Sequence, residues 1–434
     1  MNRPHLHNEA SEPLVTSRAG VPDAAVVARL QGDRGFAAAV KRLQGWEQWL
    51  QKRQMEVTSI AAPTGFEAAR AEWMRAQFEA LGAAPTIDAA GNVIAEASSI
   101  AGGKAPAILV SAHLDTAFPP GTLIRVEQRE GRLWGPGICD NGAGLAALLA
   151  LARIWNESDV CSRAAVIFAA TVGEEGEGDL RGMRHLFRPR SRWARRIGWT
   201  LVLDGHGATH ITSAALPSLR LRVLIEGAGG HSWSDAGQAS ALHAAVRIGA
   251  ALLAQVQSEP GELACNLGFL RGGSAVNAIA AQAEMKLDLR ARDPLRLRQL
   301  EQAVRRALAA GVEQENAAAR SGRVQARLES IGARPGGELP PHAPLLAAVR
   351  EVDAALGIVS HLQCASTDAN IPIAQGRQAV RLGAGGAAGG IHTLGEWYNP
   401  TGRALALHRI FLLVAALADA SFASPLRRPT LRAS

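Results

Sequence analysis

The stretch GEEGEGDLRG, Gly173 to Gly182, places four acidic residues between Glu174 and Asp179, directly behind the apolar run AVIFAAT (Ala165 to Thr171). Such a cluster is either a solvated acidic loop or one face of something that carries positive charge. Other carboxylates and histidines recur at the ends of strand-like runs. SAHLDT carries His113 and Asp115, which two positions apart on extended chain point to one face. His113 there could ligate a metal, with Asp115 orienting its ring from behind. GPGICDNGAG places Asp140 and Asn141 in a glycine-rich turn before a helix, where either residue type also makes an ordinary N-cap. LVLDGHG offers Asp204, with His206 and His210 as spare candidates, and GGIHTLGEW offers His392, with Glu396 four residues later.

Singly, each segment has a structural explanation as good as a chemical one. Together, His113, His392, Asp140, Glu175 and Asp204 make a mixed nitrogen and oxygen donor set suited to paired zinc ions. Two metals about 3.5–4 Å apart need a bridging carboxylate, and a short aspartate in a rigid turn supplies one. Glu174, adjacent to a ligand but pointing differently on its loop, is then the natural general base. A calcium loop does not fit, because the Asp-x-Asp/Asn spacing of the twelve-residue loop is missing.

Elements that could hold these residues follow from periodicity. Short apolar strands (NVIAEA, AILVSAH, AVIFAAT, TLVLD) are separated by turn residues, and an alanine- and leucine-rich helix runs from Gly142 to Trp155. Helical patterning also covers Phe36 to Met55 and Glu67 to Leu81. Strands alternating with helices predict an α/β layer structure with a mainly parallel sheet, and such sheets carry their ligands at the strand ends. From Leu219 the rhythm changes. Strand LRLRVLIEG, helix Ser240–Val256, strands LACNLGFL and AEMKLDLRA, helix Leu295–Ala309 and strand RVQARLES give the order βαββαβ of a small ferredoxin-like sandwich. The chain then returns to helix (Ala343–Leu356), strand (AVRLG) and a final helix (Leu405–Ala420). The expected organisation is a polar lead-in over residues 1–22, a first catalytic segment over 23–214, an inserted domain over 215–332 and a second catalytic segment over 333–434. The tract LGAGGAAGG is expected to be a tight loop before His392.

Composition narrows the function. The chain has 434 residues, 47% hydrophobic and 20% charged, enough for two domains. Aromatics make up only 4%, and the net charge of +7 comes from scattered arginines, so no nucleic-acid surface is expected. Four cysteines without CxxC or framework spacing point to a reduced, cytoplasmic setting. The amino terminus lacks the apolar core of a secretory signal, and no apolar run reaches the ~18 residues of a membrane span.

The series SAHLDT, GPGICDNGAG, TVGEEGEGDL, LVLDG and GGIHTLGEW resembles, in order, the segments of the co-catalytic dinuclear zinc exopeptidase and amidohydrolase family. That family includes peptidase T, acetylornithine deacetylase, succinyl-diaminopimelate desuccinylase and the glutamate carboxypeptidases. The resemblance runs from about Lys41 to Ala420, and TSIAAPTGFE resembles the family's entry segment. It implies a zinc-peptidase catalytic domain with an inserted lid and dimerisation domain, and two zinc ions per chain, replaceable by cobalt or manganese. His113 and Asp204 would bind the first metal, Glu175 and His392 the second, and Asp140 both. Glu174 would be the base, Asp115 the partner behind His113, and the Asp140–Asn141 peptide is expected to be cis. GAGGHSWSD resembles a lid segment whose histidine, here His231, reaches a neighbouring active site in dimeric members. Asn277 and Arg290 resemble residues that contact the substrate's carboxylate, a task a bidentate guanidinium suits. The implied reaction is cleavage of an amide near the end of a small peptide, or deacylation of an N-acyl-amino acid, by a homodimer. The competing class is a non-catalytic binding protein on the same fold. An intact Glu174 argues against it.

Overall fold

The computed structural model describes residues 21–97 and 105–422. The expected lead-in lies almost entirely outside the described residues, as do positions 423–434 of the last segment. The chain divides into two compact units, Met1–Ala215 with Gly337–Ser434, and Leu216–Gly336.

In the larger unit the strands Ala107–His113, Val166–Thr171 and Ile197–Leu203 are buried along their whole length. Covered on both faces, they read as continuous apolar runs rather than alternating ones. They pair in parallel with Ala107–His113 at the centre, and Ile197–Leu203 also pairs in parallel with Gln378–Leu382. The flanks differ from the expectation of a mainly parallel sheet. Val93–Ala97 joins Val166–Thr171 antiparallel, and His210–Ala215 joins Gln378–Leu382 antiparallel while pairing in parallel with His361–Ala365. The sheet is mixed.

Helix Gly142–Glu157 is buried over nearly its whole surface, and Arg403–Leu417 is similar, as expected of apolar helices enclosed by a core. The helical stretch expected over Phe36–Met55 is two helices, Arg34–Gln44 and Glu47–Ser59, parted at Gly45, which caps the first. The glycine tract is not all loop either, because Ala387–Gly389 pairs antiparallel with Trp397–Asn399.

The smaller unit is an antiparallel four-stranded sheet in the order Leu263–Gly272, Gln282–Ala291, Ser218–Glu226, Gln325–Arg334. Helices Ala241–Gln255 and Pro294–Ala318 pack on each other and on the sheet. Their shared core contains Val223, Ile248, Met285, Leu287 and Val304. A short ribbon, Gly230–His231 against Ala278–Ile279, stands beside this sheet.

No helix among the described residues is long and apolar enough to cross a membrane.

Candidate metal centre

Three of the segments singled out for their chemistry lie at strand ends of the larger unit. His113 closes one central strand, Glu174 follows Thr171 at the end of another, and Asp204 follows Leu203 at the end of a third. This is the carboxyl edge, where an open α/β sheet leaves room for a ligand.

The GPGICDNGAG turn divides its labour. Asn141 is the N-cap of helix Gly142–Glu157, its carboxamide accepting from Gly144 N at 3.2 Å and donating to the Leu203 carbonyl at 2.9 Å. Asp140, one residue earlier and joined to it by a cis peptide, turns its carboxylate to two histidines. Its Oδ1 lies 2.9 Å from His113 Nε2 and its Oδ2 lies 3.1 Å from His392 Nε2. His392 Nε2 is also 3.1 Å from Glu175 Oε1. His113, Asp140 and Glu175 present ligand atoms that all lie within 4.8 Å of one another. His392 takes part from a left-handed backbone (φ 64°) that few non-glycine residues adopt.

The acidic loop is anchored from below. The Asp115 carboxylate, fully buried, accepts from Glu174 N at 2.9 Å, from Glu175 N at 2.8 Å and from the Thr64 hydroxyl at 2.9 Å. Glu67 accepts from Gly173 N at 3.0 Å and pairs with Arg181, gripping both ends of the turn. Asp115 therefore positions the glutamate pair as much as it positions His113. The ring nitrogen His113 Nδ1 meets the Asp115 backbone oxygen at 3.0 Å, while the nearer carboxylate oxygen stands at 3.7 Å. The contact nearest the His113 ring from Asp115 is thus its backbone oxygen rather than the expected carboxylate.

Charge in this knot is tightly balanced. Burial opposes ionisation of Asp140, yet hydrogen bonds with His113 and His392 hold its carboxyl below the usual range. Burial, and then the Asp140 charge, push the Glu175 carboxyl up. His392 is raised to about 11, chiefly by its hydrogen bond with Asp140 and next by that with Glu175. Burial works against protonation of His113, but hydrogen bonds with Asp115 and Asp140 raise it well above its ordinary value. The carboxylate charge that lifts both imidazoles is charge a divalent cation would balance. Each Asp140 oxygen facing a different imidazole suits a bridge between two such ions, so the donor set fits paired metals.

Asp204 is placed differently from the other candidates. Its Oδ2 lies 3.6 Å from Arg381 Nε, outside the group of mutually close ligand atoms. It is still near the knot, since after burial itself the charges of Asp140, Glu396 and Asp204 push the Cys139 thiol upward.

Glu396 is the residue whose role sequence reading left open. It is fully buried, and its carboxylate accepts backbone N–H groups of Gly137 at 2.9 Å, Cys139 at 2.7 Å and Asp140 at 3.0 Å. Burial raises its carboxyl to about 7, against the pull of those N–H groups. One short segment thus delivers His392 and anchors the Asp140 turn. In the sequence it stands four residues after His392, and nothing in that spacing marks an anchor. Glu396→Ala should weaken zinc affinity by about 10–100-fold, measured by competition with a chromophoric chelator. Glu396→Gln, which keeps one oxygen to accept from Cys139 and Asp140, should recover part of the loss. Unchanged affinity in both variants would refute the anchoring role.

In the smaller unit, His231 and Asn277 are neighbours on the ribbon, with Ser232 N donating to the Asn277 carbonyl at 2.9 Å. His231 Nδ1 accepts from Trp233 N at 3.2 Å and Ser234 N at 3.4 Å, so the neutral ring carries its proton on Nε2, an exposed donor. Arg290 is not with them. It pairs with Ser218, whereas Gln282 at the other end of the same strand pairs with Glu226. Its guanidinium is bound to Asp288 at 2.6 Å.

Fold and site together describe an α/β enzyme with a centre able to hold metal. The chain belongs to peptidase family M20/M25/M40, whose pattern matches residues 109–416, and is accordingly a hydrolase. Among curated relatives, a predicted LysW-lysine/LysW-ornithine hydrolase of Pyrococcus abyssi is 34% identical over 168 residues, 38% of this chain and 43% of that protein. One of the same name from Pyrococcus furiosus is 40% identical over 126 residues, 29% of this chain and 33% of that protein. The matched stretch is therefore less than half of either relative. A tripeptidase from Staphylococcus aureus has the same fold, with a TM-score of 0.68 at 20% identity over 86% of this chain and 99% of that one. So does human carnosine dipeptidase 1, with a TM-score of 0.69 at 12% identity over 88% and 99%.

Proposed function

We propose that this hydrolase cleaves an amide bond near the end of a small peptide, with two zinc-class ions bridged by Asp140. His113 and Asp204 would complete one metal's ligands, Glu175 and His392 the other's. Bound there, the metals would supply Lewis acidity toward the scissile carbonyl and make water acidic enough to react at neutral pH. The observation that carries this reading is the Asp140 carboxylate, whose two oxygens face two different histidines with Glu175 alongside.

Glu174, held by its backbone on Asp115, would take the proton of the attacking water and return it to the leaving amine. The exposed Nε2–H of His231 suits an oxyanion donor, a type whose loss costs about 2.7–4 kcal/mol in known cases. Asn277, beside it, would hold the substrate's carboxylate, and Arg290 would meet a carboxylate at the other end of the small sheet. We read the small unit as a ferredoxin-like lid through which two chains pair, and the setting as cytoplasmic. The boundaries 23–214, 215–332 and 333–434 belong to the same reading. An N-acyl-amino-acid deacylase would use the same centre.

Elemental analysis after zinc reconstitution should give two ions per chain, and Glu175→Ala should keep about one. Full occupancy in Glu175→Ala, or less than one ion in the wild type, would overturn the assignment. A panel of di- and tripeptides against N-acetyl- and N-succinyl-amino acids separates peptidase from deacylase.

A further inference from the structure

We infer that the larger unit carries, beside the metal centre, a subsite for an apolar substituent of the amide substrate; this rests on the hydrolase reading above. The site is a cavity of about 510 Å³ walled by Pro63–Gly65, Thr116–Pro120, Gly176–Gly178 and Arg181.

Its walls are continuous with the centre. The Thr64 hydroxyl donates to Asp115 Oδ2 at 2.9 Å, Thr116 follows Asp115 directly, and Gly176 follows Glu175. The first two walls are joined, since Thr116 N donates to the Ala62 carbonyl at 2.9 Å and Pro63 bridges to Thr116. A group attached close to a scissile amide at the centre would reach this space.

The polar groups of the walls are already engaged. The Thr64 hydroxyl serves Asp115, and the Thr116 hydroxyl serves the Ala62 carbonyl at 3.4 Å. Arg181 spends its guanidinium on both Glu67 oxygens, at 3.0 and 3.1 Å, and on the Ala90 carbonyl at 2.8 Å. Its charge is matched by a buried carboxylate. Exposed Glu177 lies at the rim and would repel an acidic group. What remains is apolar: Pro63, Ala117, Phe118, Pro119 and Pro120. A charged substituent entering there would lose water; a cation would meet Glu177 at the exposed rim, a pairing worth little in solvent, so either sign of charge is disfavoured. An aliphatic or aromatic one would lose only water.

The test uses the zinc-reconstituted chain and three substrate series, X-Gly, Gly-X and N-acetyl-X, with X as Leu, Phe, Asp or Lys. In the series that is turned over, Leu and Phe should exceed Asp and Lys by at least about tenfold in kcat/KM. Ala117→Asp, at an exposed wall position, should lower the Leu-to-Lys ratio at least about fivefold, mainly through KM, with zinc content unchanged. Turnover with a flat or charge-favouring profile, or an unchanged ratio in Ala117→Asp, overturns the subsite alone. No turnover in any series removes the amide-hydrolase reading and the subsite with it.

Discussion

Glu174→Ala should lower kcat by roughly 10²–10⁴ while the protein keeps its full complement of zinc. The two halves of that result come from different parts of one loop. Asp115 accepts the backbone N–H groups of Glu174 and Glu175 on its two oxygens, so the backbone that presents both residues survives loss of either side chain. Glu175 turns its carboxylate to His392 and belongs to the close ligand group, whereas Glu174 does not. On the proposed roles, removing Glu174 takes away the proton acceptor and leaves the donors in place. KM should move far less than kcat, because the lost interaction belongs to the transition state. The neighbouring Glu175→Ala should fail in the opposite way, through metal content first. Full turnover by metal-loaded Glu174→Ala would refute the role of base.

Much of the centre could be read before the fold because its residues sit where local chain geometry is simple. His113 and Asp115 share a face because they are two apart on extended chain, and Asp140 follows a turn whose glycines announce it. That turn divides the cap and the site candidate between adjacent residues: Asn141 caps and Asp140 faces the histidines. What stayed hidden depends on contacts far apart in sequence. Glu396 reaches the Asp140 turn across more than 250 positions, and nothing in its own neighbourhood marks it as an anchor.

Strand direction was hidden for another reason. A strand buried on both faces has the same apolar composition whether its neighbour runs with it or against it. The central strands were legible as strands, yet the antiparallel partners Val93–Ala97 and His210–Ala215 were not legible as such. In the small unit three of the four strands alternate with period two in the sequence, and the fourth, LACNLGFL, reads as a strand without it. Their register then shows what spacing could not, that Arg290 lies at the far end of strand Gln282–Ala291 from the ribbon beside which Asn277 sits.

That separation shapes the result expected for His231. From Gln282 to Arg290 the strand advances about 26 Å at ~3.3 Å per residue, and the ribbon bearing His231 and Asn277 lies at the Gln282 end. One small substrate cannot touch both ends of the same sheet. If His231, Asn277 and Arg290 all serve one site, they come from two chains, as they would in a two-fold dimer whose interface is isologous. His231→Ala should then lower kcat by about 10²–10³, the worth of one oxyanion donor. Mixing His231→Ala chains with Glu174→Ala chains, each inactive alone, should restore activity. The hybrid dimer holds one site with an intact Glu174 from one chain and an intact His231 from the other. Random assortment makes half the dimers hybrid, each with one working site of two, so recovery should approach about a quarter of wild type. Verified subunit exchange with no recovery would place His231 at its own chain's site or at none. A fully active monomer would remove the shared site altogether.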